Sequence, residues 1–182
     1  MRIPVDDQTF LQPLEQSDAE DLFTLIDANR LYLRQWLPWL DTVLTMEDMI
    51  SFINYMMQQA VSKNGLQTGI RRQGMLVGII GLYRIDWANR SANIGYWLAE
   101  ELQGKGIMTE STRALVDYAF QSMHLHRLEI RCAMENERSR AIPKRLGFEY
   151  EGYSRSAEWL YDHYIDHAVY CKLATEWHKP GG

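Results

Sequence analysis

Apolar positions along the chain follow a helical period in the first third and a strand-like pattern from Leu66 onward. Near the start, "TFLQPL" (Thr9 to Leu14) reads as a short strand. "SDAE" then offers Ser17 as a helix N-cap with Glu20 three residues on, the spacing of a capping box. Leu22, Phe23, Leu25 and Ile26 continue at helical spacing to about Arg30. "RLYLRQWLPWLD" predicts a second, short aromatic-rich helix with Pro38 near its end. Thr45 with Asp48 opens a third helix, stopped by Asn64-Gly65.

Beyond that point the pattern switches. "LQTGIRR", a turn at Gln73-Gly74 and "MLVGIIGLYRID" predict a two-stranded hairpin, and "WANR" turns the chain into a further strand, "SANIGYWLA". Thr109 to Met123 is helical, with Leu115, Val116, Ala119 and Phe120 on one face. "HRLEIRCAM" is a strand, "ERSRAIPKRLG" a helix closed by Gly147, and "FEYEGYSRSAEWL" and "HYIDHAVYCKL" are two closing strands. The order β-α-α-α-β-β-β-α-β-α-β-β predicts an α/β protein with a mixed, mostly antiparallel sheet and helices on both faces. The middle β-α-β unit is its one parallel, right-handed crossover. No repeat, low-complexity tract or Pro/Gly-rich linker interrupts the pattern, so residues 1–182 read as one domain.

Composition narrows the function. The chain is 46% hydrophobic and 24% charged, the balance of a folded protein with a substantial core. A formal net charge of −5 speaks against general nucleic-acid binding, which needs a basic face, and suits a cationic substrate such as an amine. Cys132 and Cys171 are too few for a disulfide framework and lack the spacing of a zinc site. No apolar run has the length of a membrane span, and "MRIPVDDQTF" lacks a signal-peptide core, so the expectation is a soluble, reduced, cytoplasmic protein without membrane contact.

The candidate chemistry lies in "ELQGKGIMTES" (Glu101 to Ser111), where two glycines stand one residue apart just before a helix. Glycines permit close backbone approach, and a helix start attracts anions. A Walker loop is excluded by spacing, and the dinucleotide pattern fails because Thr109 stands at its third glycine. A tight turn and a coenzyme A loop both remain. Gln103-Gly104-Lys105-Gly106-Ile107-Met108 resembles the [QR]-x-x-G-x-[GA] loop of the GCN5-related N-acetyltransferases, departing from it at Met108. Four blocks extend the resemblance in family order: "AEDLFTLIDANR", "NRSANIGYWLAEELQGKGIMTES", "LEIRCAMENERSRAIPKRLGFEYEGY" and "SAEWLYDHYIDHAVY". Together they resemble the Rim-type branch, which acetylates ribosomal-protein N-termini.

The resemblance implies acetyl-coenzyme A as co-substrate and an N-acetyltransferase fold of six to seven strands, with the central parallel strands splayed apart. Gln103, Gly104, Lys105, Gly106, Ile107, Met108 and Thr109 would hold the pyrophosphate. Trp97 and Leu98 would pair with the pantetheine arm along the splay, and Asn136 would contact that arm too. "RAIPKRLGF" has Ile142 and Pro143 where many relatives carry an acidic tyrosine. In the Rim-type branch an N-x-x-S motif supplies a serine instead, and "NERS" makes Ser139 the acid, while "AEWL" makes Glu158 the base. Tyr32, Trp36 and Trp39 would wall the acceptor site. Each has a plainer reading: core packing for the aromatics, helix capping for Asn136 or Ser139, an edge-strand charge for Glu158.

His163 and His167 lie on a strand-like segment too far apart to share a metal, so none is expected. Neither cysteine lies in a site motif, which points to direct transfer within a ternary complex. The favoured acceptor is a protein N-terminus beginning with Ser or Ala, such as that of a ribosomal protein, and the alternative is a small polyamine or aminoglycoside-like amine. A non-catalytic acetyl-coenzyme A sensor is the reading outside enzymes. By family analogy the aromatic C-terminal strands would pair in a homo-oligomer.

Overall fold

The computed structural model describes residues 1–177. One open sheet of eight strands runs in the order β1-β2-β3-β4-β5-β6-β8-β7. The strands are β1 (Ile3–Pro4), β2 (Thr9–Pro13), β3 (Leu66–Arg72), β4 (Met75–Asp86), β5 (Ser91–Leu98), β6 (Arg127–Ala133), β7 (Glu149–Leu160) and β8 (His163–Leu173). The helices are α1 (Ala19–Leu33), α2 (Met46–Val61), α3 (Ile107–Gln121) and α4 (Glu137–Arg145). Among the described residues only β5 and β6 pair in parallel, across α3, as the sequence order predicts.

Two cores sandwich the sheet. On one face α1 and α2 press Leu22, Ile26, Leu33, Met49 and Ile53 onto Leu76, Ile79 and Trp97. On the other, Leu115, Val116 and Ala119 of α3 meet Ile80, Leu82, Ile94 and Leu98. This double coverage explains the near-continuous apolar run of β4, which has no solvent face to alternate with.

Three local expectations are corrected. The predicted second helix does not form. Arg30 to Leu33 are the last turn of α1, and the aromatic segment continues as turns and a 3₁₀ turn at Leu40–Thr42. The Arg30 guanidinium donates to the carbonyls of Leu40 (2.8 Å) and Val43 (2.9 Å), satisfying loop oxygens that a helix would have bonded itself. The Ser17–Glu20 box is also replaced. Gln16–Asp18 forms a 3₁₀ turn in which the Asp18 carboxylate accepts from the Glu15 amide at 3.0 Å. Asp18 is buried and pairs with Arg71 of β3, a long-range ion pair that outcompetes the local cap. Finally, the two-residue β1 adds an eighth strand, too short to leave a periodic signal.

The Thr45 cap forms as read. Its hydroxyl accepts from the Asp48 amide at 3.2 Å, while the Asp48 carboxylate accepts from the Thr45 amide at 2.9 Å. Thr45→Ala is expected to lower the melting temperature by about 2–4 °C without altering turnover, as calorimetry would show. Among the described residues no helix is long and apolar enough to cross a membrane.

Candidate active site

The site begins where the sheet opens. β5 and β6 pair only from Ser91 to Ile94 on one strand and Arg127 to Ile130 on the other, so Gly95 to Leu98 have no sheet neighbour on the β6 side. Amides alternate direction along a strand. The Ala99 amide bonds to the Val77 carbonyl (3.0 Å), so the Leu98 amide points away from β4 and into the gap. The Trp97 side chain is buried in the core beneath α1 and α2, so it is the backbone of this stretch that faces the opening.

A groove of about 880 Å³ runs along this opening to the start of α3. At its far end Gly104 (φ 73°) and Gly106 (φ 78°) both adopt the left-handed conformation that favours glycine. A Cβ at either would meet no protein atom within 4 Å, so the loop leaves open space where side chains would stand. Gly106 is the residue that starts α3, whose helix begins at Ile107, two residues before the expected Thr109. The first-turn N–H groups have no intrahelical partner and carry the positive end of the helix dipole. Met108, the one departure from the loop pattern, packs in the core and also borders the groove.

Two cations that sequence reading passed over, Arg138 and Arg145, line the same groove from α4. They stand seven residues apart with Ile142 between, the i, i+4, i+7 spacing of one helix face, which is the signal that would have found them. Arg145 donates to the Thr109 hydroxyl at 3.1 Å, tying α4 to the start of α3. Arg138 donates to the Gln103 side-chain oxygen at 2.9 Å, and the Gln103 amide donates to the Tyr32 hydroxyl. Unpaired helix amides, side-chain-free glycines and two arginines form a donor set that fits the phosphates of coenzyme A. Lys105 is exposed between the glycines and does not line the groove.

At the gap, Asn136 caps α4, its side chain accepting from the Ser139 amide at 3.0 Å. The capping reading of "NERS" thus holds for Asn136, which also borders the groove. The Ser139 hydroxyl lies 3.2 Å from the Cys132 sulfur and 3.4 Å from the Tyr96 hydroxyl. No motif marks Cys132, yet packing brings its thiol to the site. Burial pushes that thiol up from its ordinary value, so it stays protonated and is a poor nucleophile.

A second cavity, of about 770 Å³, meets the groove at Trp36. It lies between Arg34 to Trp36 and the β7–β8 hairpin, and carries Glu135, Asp162 and Asp166 on its walls. The hairpin tip is held down by Tyr161, whose hydroxyl donates to the Leu37 carbonyl (2.5 Å) and whose ring lies 3.7 Å from the Arg34 guanidinium. Tyr32 and Trp36 therefore line the open space, whereas Trp39 stacks on Phe52 at 5.1 Å and lines neither cavity.

Glu158 lies where β7 bulges: Ser154 pairs with His167 and Glu158 with Ile165, leaving two extra residues on β7 between them. Such a bulge re-aims the side chains that follow it. The Glu158 carboxylate sits 3.3 Å from His167 Nε2 and keeps about a third of its surface exposed. It is not among the residues lining the second cavity, though its cross-strand partner Ile165 is.

With this geometry in place, the comparisons with known proteins agree. Residues 8–149 match the acetyltransferase (GNAT) domain. Over 174 residues the chain is 37% identical to the putative ribosomal N-acetyltransferase YdaF of Bacillus subtilis (strain 168), covering 95% of each. It is 33% identical to the ribosomal-protein-serine acetyltransferase of Escherichia coli (strain K12), covering 94% of this chain and 96% of that one. Among solved structures, RimL, a ribosomal L7/L12 α-N-protein acetyltransferase in complex with coenzyme A, aligns with a TM-score of 0.92 at 29% identity, over 95% of this chain and 98% of that one. The microcin C7 self-immunity acetyltransferase MccE, in complex with acetyl-CoA and AMP, aligns at 0.88 and 31%, over 93% and 94%. The chain belongs to the GCN5-related N-acetyltransferase family, alongside the Rim-type ribosomal-protein enzymes, and is an acetyl-coenzyme A-dependent N-acetyltransferase.

Proposed function

We propose that the acceptor is the N-terminal amine of a protein, a Ser- or Ala-starting ribosomal protein being favoured, acetylated directly in a ternary complex. The observation that carries this reading is the second cavity. It lies beside the coenzyme groove, walled by Trp36 and the hairpin, and its carboxylates Glu135, Asp162 and Asp166 suit a protonated amine. Relatives named for ribosomal-protein acetylation support the same reading. A ribosomal acceptor places the work in the cytoplasm.

Bound acetyl-coenzyme A supplies a thioester, which an amine attacks at the carbonyl carbon as the sulfur leaves with the bonding electrons. The loop at Gly104 and Gly106, with Arg138 and Arg145, holds the anionic end. The Leu98 amide, aimed into the gap, is a fixed donor for an oxygen bearing developing charge. Ser139 offers its hydroxyl as a donor on the opposite side of the opening. Glu158, next to His167, accepts the proton that the amine must lose. An N-terminal amine has a pKa of roughly 8, so the demand on this base is modest.

A small-molecule amine is the second reading, favoured by the likeness to MccE. Thiol release from acetyl-coenzyme A separates the two in one panel: a Ser-starting peptide, the same peptide N-terminally blocked, spermidine and an aminoglycoside. Turnover with the free peptide end alone is the expected result. Turnover with spermidine or the aminoglycoside, and none with the peptide, overturns it in favour of the small amine. Binding of acetyl-coenzyme A without turnover on any acceptor favours a sensor.

A further inference from the structure

We propose that Tyr96 is a positioning residue for Ser139, anchoring it through a backbone carbonyl that Pro143 leaves without its helical donor. In an α-helix the carbonyl of residue 139 accepts from the amide of residue 143. Position 143 is a proline inside α4, so that amide hydrogen does not exist, and the proline ring crowds the same carbonyl. Tyr96, on the far side of the sheet opening, supplies the missing bond: its hydroxyl donates to the Ser139 carbonyl at 3.0 Å. Having given its proton there, the phenol oxygen is free to accept, and the Ser139 hydroxyl lies 3.4 Å from it. One phenol thus touches Ser139 at both its backbone and its side chain.

The placement follows from the fold. Tyr96 stands in the stretch of β5 that has lost its β6 neighbour, so its ring reaches across the gap to α4 where a strand would otherwise run. The tie therefore spans the splay itself, and it fixes the serine relative to the Leu98 amide two residues along the same strand. The hydroxyl end is buried, and that burial, with Cys132 nearby, holds the phenol well above its ordinary value. The phenol proton is already committed to the Ser139 carbonyl. This departs from tyrosine-acid chemistry: the phenol acts through the serine.

The inference rests on the reading of Ser139 as the hydroxyl used in turnover, and the test keeps the two apart. Steady-state kinetics on wild type, Tyr96→Phe, Ser139→Ala and the double variant, with melting curves as a check on folding, form a double-mutant cycle. Tyr96→Phe is expected to lower kcat about fivefold to tenfold, the scale of one lost hydrogen bond, with the KM for acetyl-coenzyme A within about twofold. In the Ser139→Ala background the same change should cost no further kcat. If Ser139→Ala is slow and Tyr96→Phe slows it again by the full factor, the positioning role is overturned while the serine reading survives. If Ser139→Ala turns over like wild type, both are overturned. Pro143→Ala returns an amide hydrogen to the orphaned carbonyl, so Tyr96→Phe/Pro143→Ala should regain most of the kcat lost in Tyr96→Phe. No regain would overturn the carbonyl as the anchoring point.

Discussion

Glu158→Gln is expected to lower kcat with a Ser-starting peptide by about a hundredfold, the usual scale of a lost general base. Affinity for coenzyme A, read by calorimetry, should stay within about twofold, because Glu158 does not line the coenzyme groove. Glutamine keeps the shape and the hydrogen-bonding reach toward His167, so the bulge from Ser154 to Glu158 has no reason to rearrange. What is lost is the ability to take a proton. The deficit should therefore shrink as pH rises past roughly 8, where an N-terminal amine is already neutral. A variant as fast as wild type would remove Glu158 from the chemistry and leave it as an edge-strand charge beside His167. That outcome has a structural motive, since Ile165 and not Glu158 faces the second cavity.

The second large effect concerns the coenzyme. Gly106→Val is expected to raise the KM for acetyl-coenzyme A by about a hundredfold, through two losses that add. A β-branched residue at φ 78° is strained, which loosens the start of α3 and misaligns its first amides. Each hydrogen bond from such an amide to a phosphate is worth about 1.5–3 kcal/mol, so losing two accounts for the factor. Gly106→Asn separates strain from crowding, because asparagine tolerates the left-handed region. It should melt close to wild type and still bind the coenzyme more weakly, since any added side chain enters space that the protein leaves empty. Undiminished binding by both variants would reduce the Gly-x-Gly loop to a tight turn.

Much of the architecture was readable in the chain because its signals are local. The β4 run, the Thr45 box and the Gly147 stop each depend on residues within a turn of one another, and each appears where the pattern places it. The predicted second helix and the Ser17–Glu20 box fail for the opposite reason. Arg71 lies 53 residues from Asp18, and Arg30 reaches 10 and 13 residues on to the carbonyls of Leu40 and Val43. A window of one or two turns contains neither partner, so Ser17 looked like a cap and the aromatic segment like a helix.

The site divides along the same line. The glycine loop, "NERS" and "AEWL" are contiguous, and their spacing was sufficient to bring the family, the co-substrate and the candidates Ser139 and Glu158 into view. Sequence by itself therefore determined the course of strands β2 to β8, the single parallel crossover and the Gly-x-Gly loop before α3, because helix period, strand alternation and glycine chemistry act over a few residues. Only the tertiary structure decided that Arg138 and Arg145 share the groove, that Trp39 turns away to Phe52, and that Cys132, Tyr96 and Ser139 converge. The last of these contacts crosses from strand to helix where β5 and β6 part, and a pairing that ends at Ile94 is set by how two layers pack, which no stretch of neighbouring residues records.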